Sequence, residues 1–224
     1  MREMEKEIYE RHSVRSYTDR EIEPEKAKAL YDLIDECNEK SGLEIKLVLD
    51  APEVFKKSIF HYGWIKNAKN YFALIGKKDK DLEEKAGYYG EMLVLKAQSL
   101  GLNTCWIAGT YSRSTASRDL AEGEELACII SVGHGETQGK ERSSKNFSDV
   151  SKTADGPEWY KTGVSFALLA PTAINQQKFT FELKDNNKVS LTAGRGPYSL
   201  IDKGIVRLHF ELGAGRENFV WEDR

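Results

Sequence analysis

Two periods alternate along the chain. From Pro24 apolar residues recur every three to four positions, with Ala27, Leu30, Tyr31, Ile34 and Cys37 on one face, and Gly42 supplies a stop; this predicts a helix. The period then drops to two: Leu43, Ile45, Leu47 and Leu49 oppose Glu44 and Lys46, as in a half-buried strand. The strongest helical stripe runs from Leu82 to Leu100 through Ala86, Gly90, Leu93, Val94 and Ala97, with Gly101 as its C-terminal stop. Tyr71 to Ile75 and Ala127 to Val132 are short continuous apolar runs and predict buried strands.

Toward the ends the pattern is shorter. Glu3 to Arg11 predicts a charged helix that turns Met4 and Ile8 inward, followed by an extended polar stretch from Arg11 to Tyr17. A helix is expected from Pro157 to Leu169, then strands at Phe179 to Leu183, Val189 to Ala193 and Ile205 to Leu212. Residues 133–156 are rich in Gly, Ser, Lys and Asp and form the longest irregular stretch, a place where compact domains keep functional loops. Helices and strands intermix without a strict β-α-β rhythm, so the expected class is α+β in one domain spanning 1–224.

One internal comparison bears on organisation. Leu30 to Asp50 and Val164 to Lys184 both read as helix end, connector and alternating strand, and a gapless overlay places Ile45, Leu47 and Leu49 on Phe179, Phe181 and Leu183. Either this is a common supersecondary unit used twice, or the chain holds duplicated half-units, 1–133 and 134–224, sharing one core about a pseudo-twofold axis.

Composition narrows the function. The 224 residues carry 33 Lys+Arg against 36 Asp+Glu, a net charge of −3, which offers no basic excess for nucleic acid. No apolar run has the length of a membrane span, and Met1 to Lys6 lacks the apolar core of a signal peptide, so the expected location is cytoplasmic. Cys37, Cys105 and Cys128 are too widely spaced for a zinc motif or a disulfide framework. Among the histidines, none has metal-ligand spacing, and ordinary hydrogen-bonding roles are expected for His61 and His209.

Four segments carry candidate chemistry. Arg11-His12-Ser13-Val14-Arg15 offers two guanidiniums and a hydroxyl to a phosphate, and an extended backbone would turn Arg11, Ser13 and Arg15 to one side. Gly101 to Gly109 has glycine at both ends, which lets backbone N–H groups approach a ligand closely. Pro171-Thr172-Ala173-Ile174-Asn175-Gln176-Gln177 combines small residues with side-chain amides at a helix exit, suited to the edge of a planar heteroaromatic ring. Gly133 is followed by the cations Lys140 and Arg142, which could reach an anionic ligand end.

Together these segments resemble the nitroreductase family of FMN-dependent oxidoreductases. Arg11, Ser13 and Arg15 match its R-x-S-x-R signature; Gly101-Leu102-Asn103-Thr104-Cys105-Trp106-Ile107-Ala108-Gly109 matches G-L-x-(S/T)-x-W-(I/L)-x-G; and Pro171 to Gln177 resembles its P-(S/T)-x-x-N-x-Q connector. The order departs from the ordinary member, where the connector follows the first long helix; here that slot holds Cys37 to Ser41. The arrangement is similar to a rearranged branch of the nitroreductases whose chains end in a strand similar to Gly204 to Leu212.

The resemblance implies a central mixed or antiparallel sheet flanked by helices. It further implies FMN as cofactor, NADH or NADPH as electron donor, and a nitroaromatic, quinone or similar small-molecule acceptor in a ping-pong flavin cycle. Arg11, His12 and Ser13 would hold the phosphate and ribityl chain, with Lys140 and Arg142 completing the phosphate site. Arg15 would lie at the N1/O2 edge of the ring, Ile107, Ala108 and Gly109 at N5, and Pro171, Thr172, Ala173 and Asn175 on the opposite side. The flavin carries the chemistry, so no catalytic side chain and no metal is implied. The approach from His61 to Asn67 departs from the family pattern and takes no role, although Trp64 could restrict one ring face. Ordinary members are homodimers that build each site at the interface, whereas a second-half connector in the same chain could replace the partner's, giving a monomeric pseudo-dimer. A non-catalytic flavin- or ligand-binding relative, serving storage or sensing, is the alternative from another class.

Overall fold

The long helical stripe read from the sequence becomes the central helix of the molecule because glycines let a second helix approach it very closely. In the computed structural model, which describes residues 4–56 and 65–222, the elements run in order α1 (Glu5–Glu10), α2 (Pro24–Ser41), β1 (Lys46–Val48), β2 (Tyr71–Lys77), α3 (Leu82–Ser99), β3 (Asn103–Ile107), α4 (Arg113–Ala116) and β4 (Glu124–Gly133). Then follow α5 (Phe147–Val150), α6 (Glu158–Leu168), β5 (Phe179–Lys184), β6 (Lys188–Ala193), α7 (Ser199–Ala214) and β7 (Val220–Trp221). The expectations for His61 and Trp64 fall outside the described residues. The class is α+β, as the pattern predicted.

Two sheets form. The larger is antiparallel with strand order β1-β2-β4-β3; the smaller has order β5-β6-β7, with β7 parallel to β6. Strands β2 and β4 read as continuous apolar runs because both faces of the sheet are covered. Phe72, Leu74, Cys128 and Ile130 face the helical core, while Tyr71, Ala73, Ile75 and Ile129 face a second cluster with Tyr17, Val54 and Ile65. A bulge beside Leu74 and Ile75 shifts the register, so Leu126 joins the second cluster although Cys128 belongs to the first.

The strand expected from Ile205 to Leu212 is instead the middle of α7. Its alternation was misleading because this helix lies between α3 and α6 and is buried on several sides. Ile201, Ile205 and Leu208 recur at helical spacing, and Val206 and Phe210 fill a second face, leaving only a narrow polar stripe to mark the period. Phe210 stacks on Phe181 with centroids 4.7 Å apart and meets Phe219 and Trp221 edge-on or tilted, which fastens the small sheet to the helix. The region 133–156 is irregular as expected, apart from α5, which opens with a capping box between Asn146 and Asp149.

At the α3–α7 crossing the contacts are reciprocal. A side chain on Gly87 would overlap the carbonyl of Ile201, and one on Gly204 would overlap the carbonyl of Glu84; each carbonyl lies three residues before the other helix's glycine. Such a self-complementary contact is the mark of twofold symmetry. The helix–strand unit is also repeated: α2 leads to β1 paired with β2, and α6 leads to β5 paired with β6, both antiparallel. The gapless overlay fails only in its middle, where α2 stays helical through Cys37 to Ser41 while α6 stops at Leu168 and the chain opens into the 170–177 connector.

Among the described residues no helix is long and apolar enough to cross a membrane. Because the crossing leaves no room for a methyl group, Gly87→Ala and Gly204→Ala are each expected to cost about 1–3 kcal/mol of stability, the range for overpacked sites. Urea denaturation midpoints would show it, and a loss under about 0.5 kcal/mol in either variant would mean the helices do not meet there.

Candidate functional site

The extended segment after α1 is pinned on both sides by backbone bonds. Val14 N–H donates to the Thr104 carbonyl of β3, Tyr17 N–H to Lys66, and Thr18 N–H to His134. This lays Ser13 and Arg15 along one wall of a cleft of about 280 Å³. Cys105 to Thr110 form the second wall, Pro171 to Ile174 the third, and Tyr198, Ile201, Asp202 and Ile205 of the α7 start the fourth. The cleft is mainly apolar with a few polar groups, the usual make-up of a small-molecule site. One chain supplies all four walls.

Of the residues singled out in the sequence, Ser13, Arg15, Ile107, Ala108, Gly109, Pro171, Thr172 and Ala173 meet in this cleft. Arg11, His12, Lys140, Arg142 and Asn175 do not line it. Arg11 turns inward instead of sharing a side with Ser13 and Arg15, and is 2% exposed. His12 and Arg142 border a second hollow with Ile8, Tyr9, Glu141, Ser144 and Leu169. The same chain segments run from one hollow to the other, from His12 into Ser13 and from Leu169 into Pro171. Asn175 points away from the cleft and donates from Nδ2 to the Ser143 carbonyl at 2.9 Å, so Ile174 takes its place on the wall. Lys140 is exposed and borders neither hollow.

Charge at the second hollow is unusual. The Arg11 Nε and the Arg142 Nε and Nη2 are buried and make no hydrogen bond in the structure. Burial and the like charge of Arg11 bring the Arg142 guanidinium down to about 10, and burial lowers Arg11 as well, against the attraction of Glu91. Arg142 is half-buried at the hollow with two N–H groups that make no hydrogen bond, and Arg11 lies close behind it, its Nε 3.8 Å from Glu91; the unused donors of Arg142 suit an oxyanion such as a phosphate monoester. The site residues therefore fit FMN: an anion-seeking guanidinium at one end and a narrow apolar cleft beside it.

Behind Arg11 lies a buried polar cluster that the sequence reading missed. Glu91 of α3 is fully buried; its Oε2 accepts the Trp106 indole N–H at 2.9 Å, and its Oε1 lies 2.8 Å from His209 Nε2 and 3.8 Å from Arg11 Nε. His209 Nδ1 faces the Phe166 carbonyl at 3.1 Å. The expected ordinary hydrogen-bonding role for His209 holds. Only the conjunction of a charge at Glu91 with an otherwise apolar stripe hinted at this cluster.

Tyr198 and Asp202 were also missed, because they fell between the expected strands Val189 to Ala193 and Ile205 to Leu212, where the structure begins α7. Tyr198 places its hydroxyl 3.2 Å from where a Gly109 side chain would begin. Asp202 is buried; its carboxylate accepts the Ala173 N–H at 2.9 Å and the Gln176 amide at 2.7 Å. The thiols of Cys105 and Cys128, also on the cleft, are pushed up by burial and are poor nucleophiles.

This α+β arrangement, with a helix-and-strand signature feeding an apolar cleft beside a cationic hollow, is that of an oxidoreductase of the nitroreductase class. The family model described as "Putative TM nitroreductase" matches residues 3–214, and the chain belongs to that family. A Thermotoga maritima protein described as a "putative nitroreductase" superposes with a TM-score of 0.68 at 20% identity, over 94% of this chain and 82% of that one. An FMN-dependent nitroreductase from Clostridium difficile gives 0.50 at 23% identity, over 64% of this chain and 92% of its own. A Bacteroides thetaiotaomicron protein described as a "Putative NADH dehydrogenase/NAD(P)H nitroreductase" gives 0.53 at 18%, over 66% and 95%. No curated protein matches the chain.

Burial pushes the Asp202 carboxyl up from 3.8 to about 6, opposed by its bonds from Gln176 and Ala173. The folded protein therefore holds a proton that the unfolded chain has released between about pH 4 and 6, so this group favours folding below about 4 and loses that contribution as pH rises through 6. Relative to the wild type, Asp202→Asn is expected to gain stability over that window, by up to about 3 kcal/mol. Urea melts at several pH values measure the difference; a flat difference would place the carboxyl in a water-like environment.

Proposed function

We propose that this protein is an FMN-dependent oxidoreductase that takes electrons from NADH or NADPH and passes them to a small acceptor such as a nitroaromatic or a quinone. The observation that carries the reading is the half-buried Arg142, with two N–H groups that make no hydrogen bond and the buried Arg11 close to it, beside a cleft lined by Ser13, Arg15, the 105–109 segment and the connector. Bound FMN would supply hydride and electron transfer in a ping-pong cycle.

The chain's own task is binding, orientation and exclusion of water. Arg11 and Arg142 would hold the phosphate end, with His12 and Ser13 beside it; Lys140, exposed on the same loop, would add only a screened charge. Arg15 presents a positive charge to the cleft, where it would favour negative charge developing on the ring. Ile107, Ala108 and Gly109 present a backbone edge, and Pro171, Thr172 and Ala173 form the opposing wall, with Asn175 bracing the connector on Ser143. The Glu91 cluster keeps the Arg11 side chain from retreating and orients the Trp106 strand.

Half-units 1–133 and 134–224 about a pseudo-twofold axis complete the proposal. The reciprocal Gly87 and Gly204 contacts support it. So does a further hollow of about 390 Å³ lined by Asp81, Glu84, Lys85 and Tyr88, which stand at the same steps from Gly87 as Tyr198, Ile201, Asp202 and Ile205 from Gly204. That twin has no R-x-S-x-R segment and no opened connector, and Glu84 there is tied to Lys203 at 2.7 Å and to Arg207 at 3.3 Å. Flavin is therefore expected at one cleft per chain, closed by the chain's own connector.

Four measurements test this. Arg11→Ala and Arg142→Ala should each weaken FMN binding by roughly 1.5–3 kcal/mol, the value of a charge-assisted bond; unchanged affinity in both removes the phosphate site. Gly109→Val should reduce flavin retention, since its branches would press into the space under the Tyr198 hydroxyl; a folded variant that keeps its flavin would refute the assignment of residues 107–109. Light scattering with FMN titration should give one flavin per chain without need of a dimer. Anaerobic bleaching of the bound flavin by NADH or NADPH separates an enzyme from a storage or sensing protein.

A further inference from the structure

The connector is the most strained segment of the cleft. Ile174, Asn175 and Gln177 have φ of 47°, 54° and 43°, in the left-handed region that side chains avoid, and a β-branched isoleucine there is a clear outlier. Ile174 is also 78% exposed, so no packing of its own side chain holds it there. The restraint comes from polar contacts around it. Within the connector, Gln177 donates its backbone N–H to the Thr172 hydroxyl; away from the cleft its amide donates to the Leu168 carbonyl and Asn175 reaches Ser143.

On the cleft side the restraint is Asp202, among the described residues the only carboxylate lining the cleft. One oxygen takes the Ala173 N–H and the other takes the Gln176 amide, whose nitrogen also bonds the Pro197 carbonyl. The two bonds bracket Ile174 and Asn175. Asp202 sits in the first turn of α7, a rigid element locked to α3 at the glycine crossing, so it refers the connector to the most fixed part of the molecule. The pseudo-twofold comparison adds an independent observation. At the position equivalent to Asp202 the first half has Lys85, and there the equivalent connector stretch is the uninterrupted last turns of α2. Carboxylate and opened connector occur together or not at all.

We propose that Asp202 is a positioning residue for the cleft: by accepting the Ala173 N–H and the Gln176 amide it holds residues 172–176 in their left-handed turn, so that Pro171 to Ile174 form a fixed wall for the planar ligand. Its effect on flavin rests on the FMN reading above; its effect on the connector does not. A carboxylate is suited to this task because both oxygens accept without rearrangement, whereas an amide keeps one acceptor and presents a donor to Gln176. Alanine keeps neither.

The experiment compares the full-length wild type with Asp202→Ala and Asp202→Asn. Backbone amide hydrogen exchange is followed at Ala173 to Gln177 in flavin-free protein, with FMN affinity by fluorescence titration and melting temperature alongside. Asp202→Ala is expected to speed exchange at the Ala173 amide about tenfold or more and to weaken FMN by a similar factor, with little change in melting temperature. Asp202→Asn should recover much of the Ala173 protection, because its side-chain carbonyl can still accept that bond. Unchanged exchange in both folded variants would overturn the proposal, as would a loss of FMN affinity that only follows a fall in melting temperature. Should Asp202→Ala fail to fold, Gln176→Ala, which removes the donor to the second carboxylate oxygen, decides: faster exchange at Asn175 to Gln177 supports the proposal and unchanged exchange overturns it. A wild type that binds no FMN, but whose connector loosens in the variants, would retain the positioning role and overturn the flavin reading alone.

Discussion

Two helices that touch backbone to backbone organise this molecule. At the crossing of α3 and α7 neither Gly87 nor Gly204 can carry a side chain, and each lies against a carbonyl of the other helix. Close approach fixes the angle and offset of the helices, because a helix with no intervening side chains cannot slide without collision. Each sheet packs on one of these helices, the four-stranded sheet on α3 and the three-stranded sheet on α7 through the aromatic stack on Phe210. The cleft lies where the first turn of α7 meets β3 and the segment following it, so its width follows from the same contact.

The second determinant is the buried carboxylate of Glu91. A charge in so dry a place is tolerated only when it is surrounded by donors, and here Trp106 and His209 supply them, with Arg11 nearby. Those groups come from β3, α7 and the end of α1, so one side chain ties together three segments that lie far apart in sequence. Removing it would leave Arg11 buried beside Arg142 with no compensating charge. The positive charge of Arg11 is thus offset from behind by a carboxylate of the protein's own.

Family membership and cleft agree on the kind of chemistry, and the distribution of walls gives the arrangement its particular character. The connector that lines the cleft comes from the same chain as the other walls, and it is held in an unusual conformation. Its three left-handed residues are kept there by bonds involving Thr172, Gln177 and Asp202. The hollow on the other side of the α3–α7 crossing has no such connector, and Glu84 there pairs with Lys203 and Arg207.

Much of this was legible in the chain itself. The helices at α2, α3 and α6 and the strands β2, β4, β5 and β6 follow from periodicity, because each buries a face or a pair of faces against a single layer and its pattern records that geometry. The segments at 13–15, 107–109 and 171–173 were readable as cleft residues only through their joint resemblance to the family's signature segments, since each alone also suits an ordinary turn or helix end. What the sequence could not decide were the features set by contacts distant along the chain. Helix α7 is buried on several sides, which erases the polar stripe that would have given its period, and Tyr198 and Asp202 were missed with it. Arg11 was expected beside Ser13 and Arg15, but the chain leaves α1 just there, and the attraction of Glu91 draws it inward. Asn175 turns away from the cleft because its backbone is left-handed, a conformation imposed by hydrogen bonds from α7 and residues 143–145 rather than by its own preference. Local sequence determined which residues could form a wall; only the packing of α7 on α3 determined which way they face.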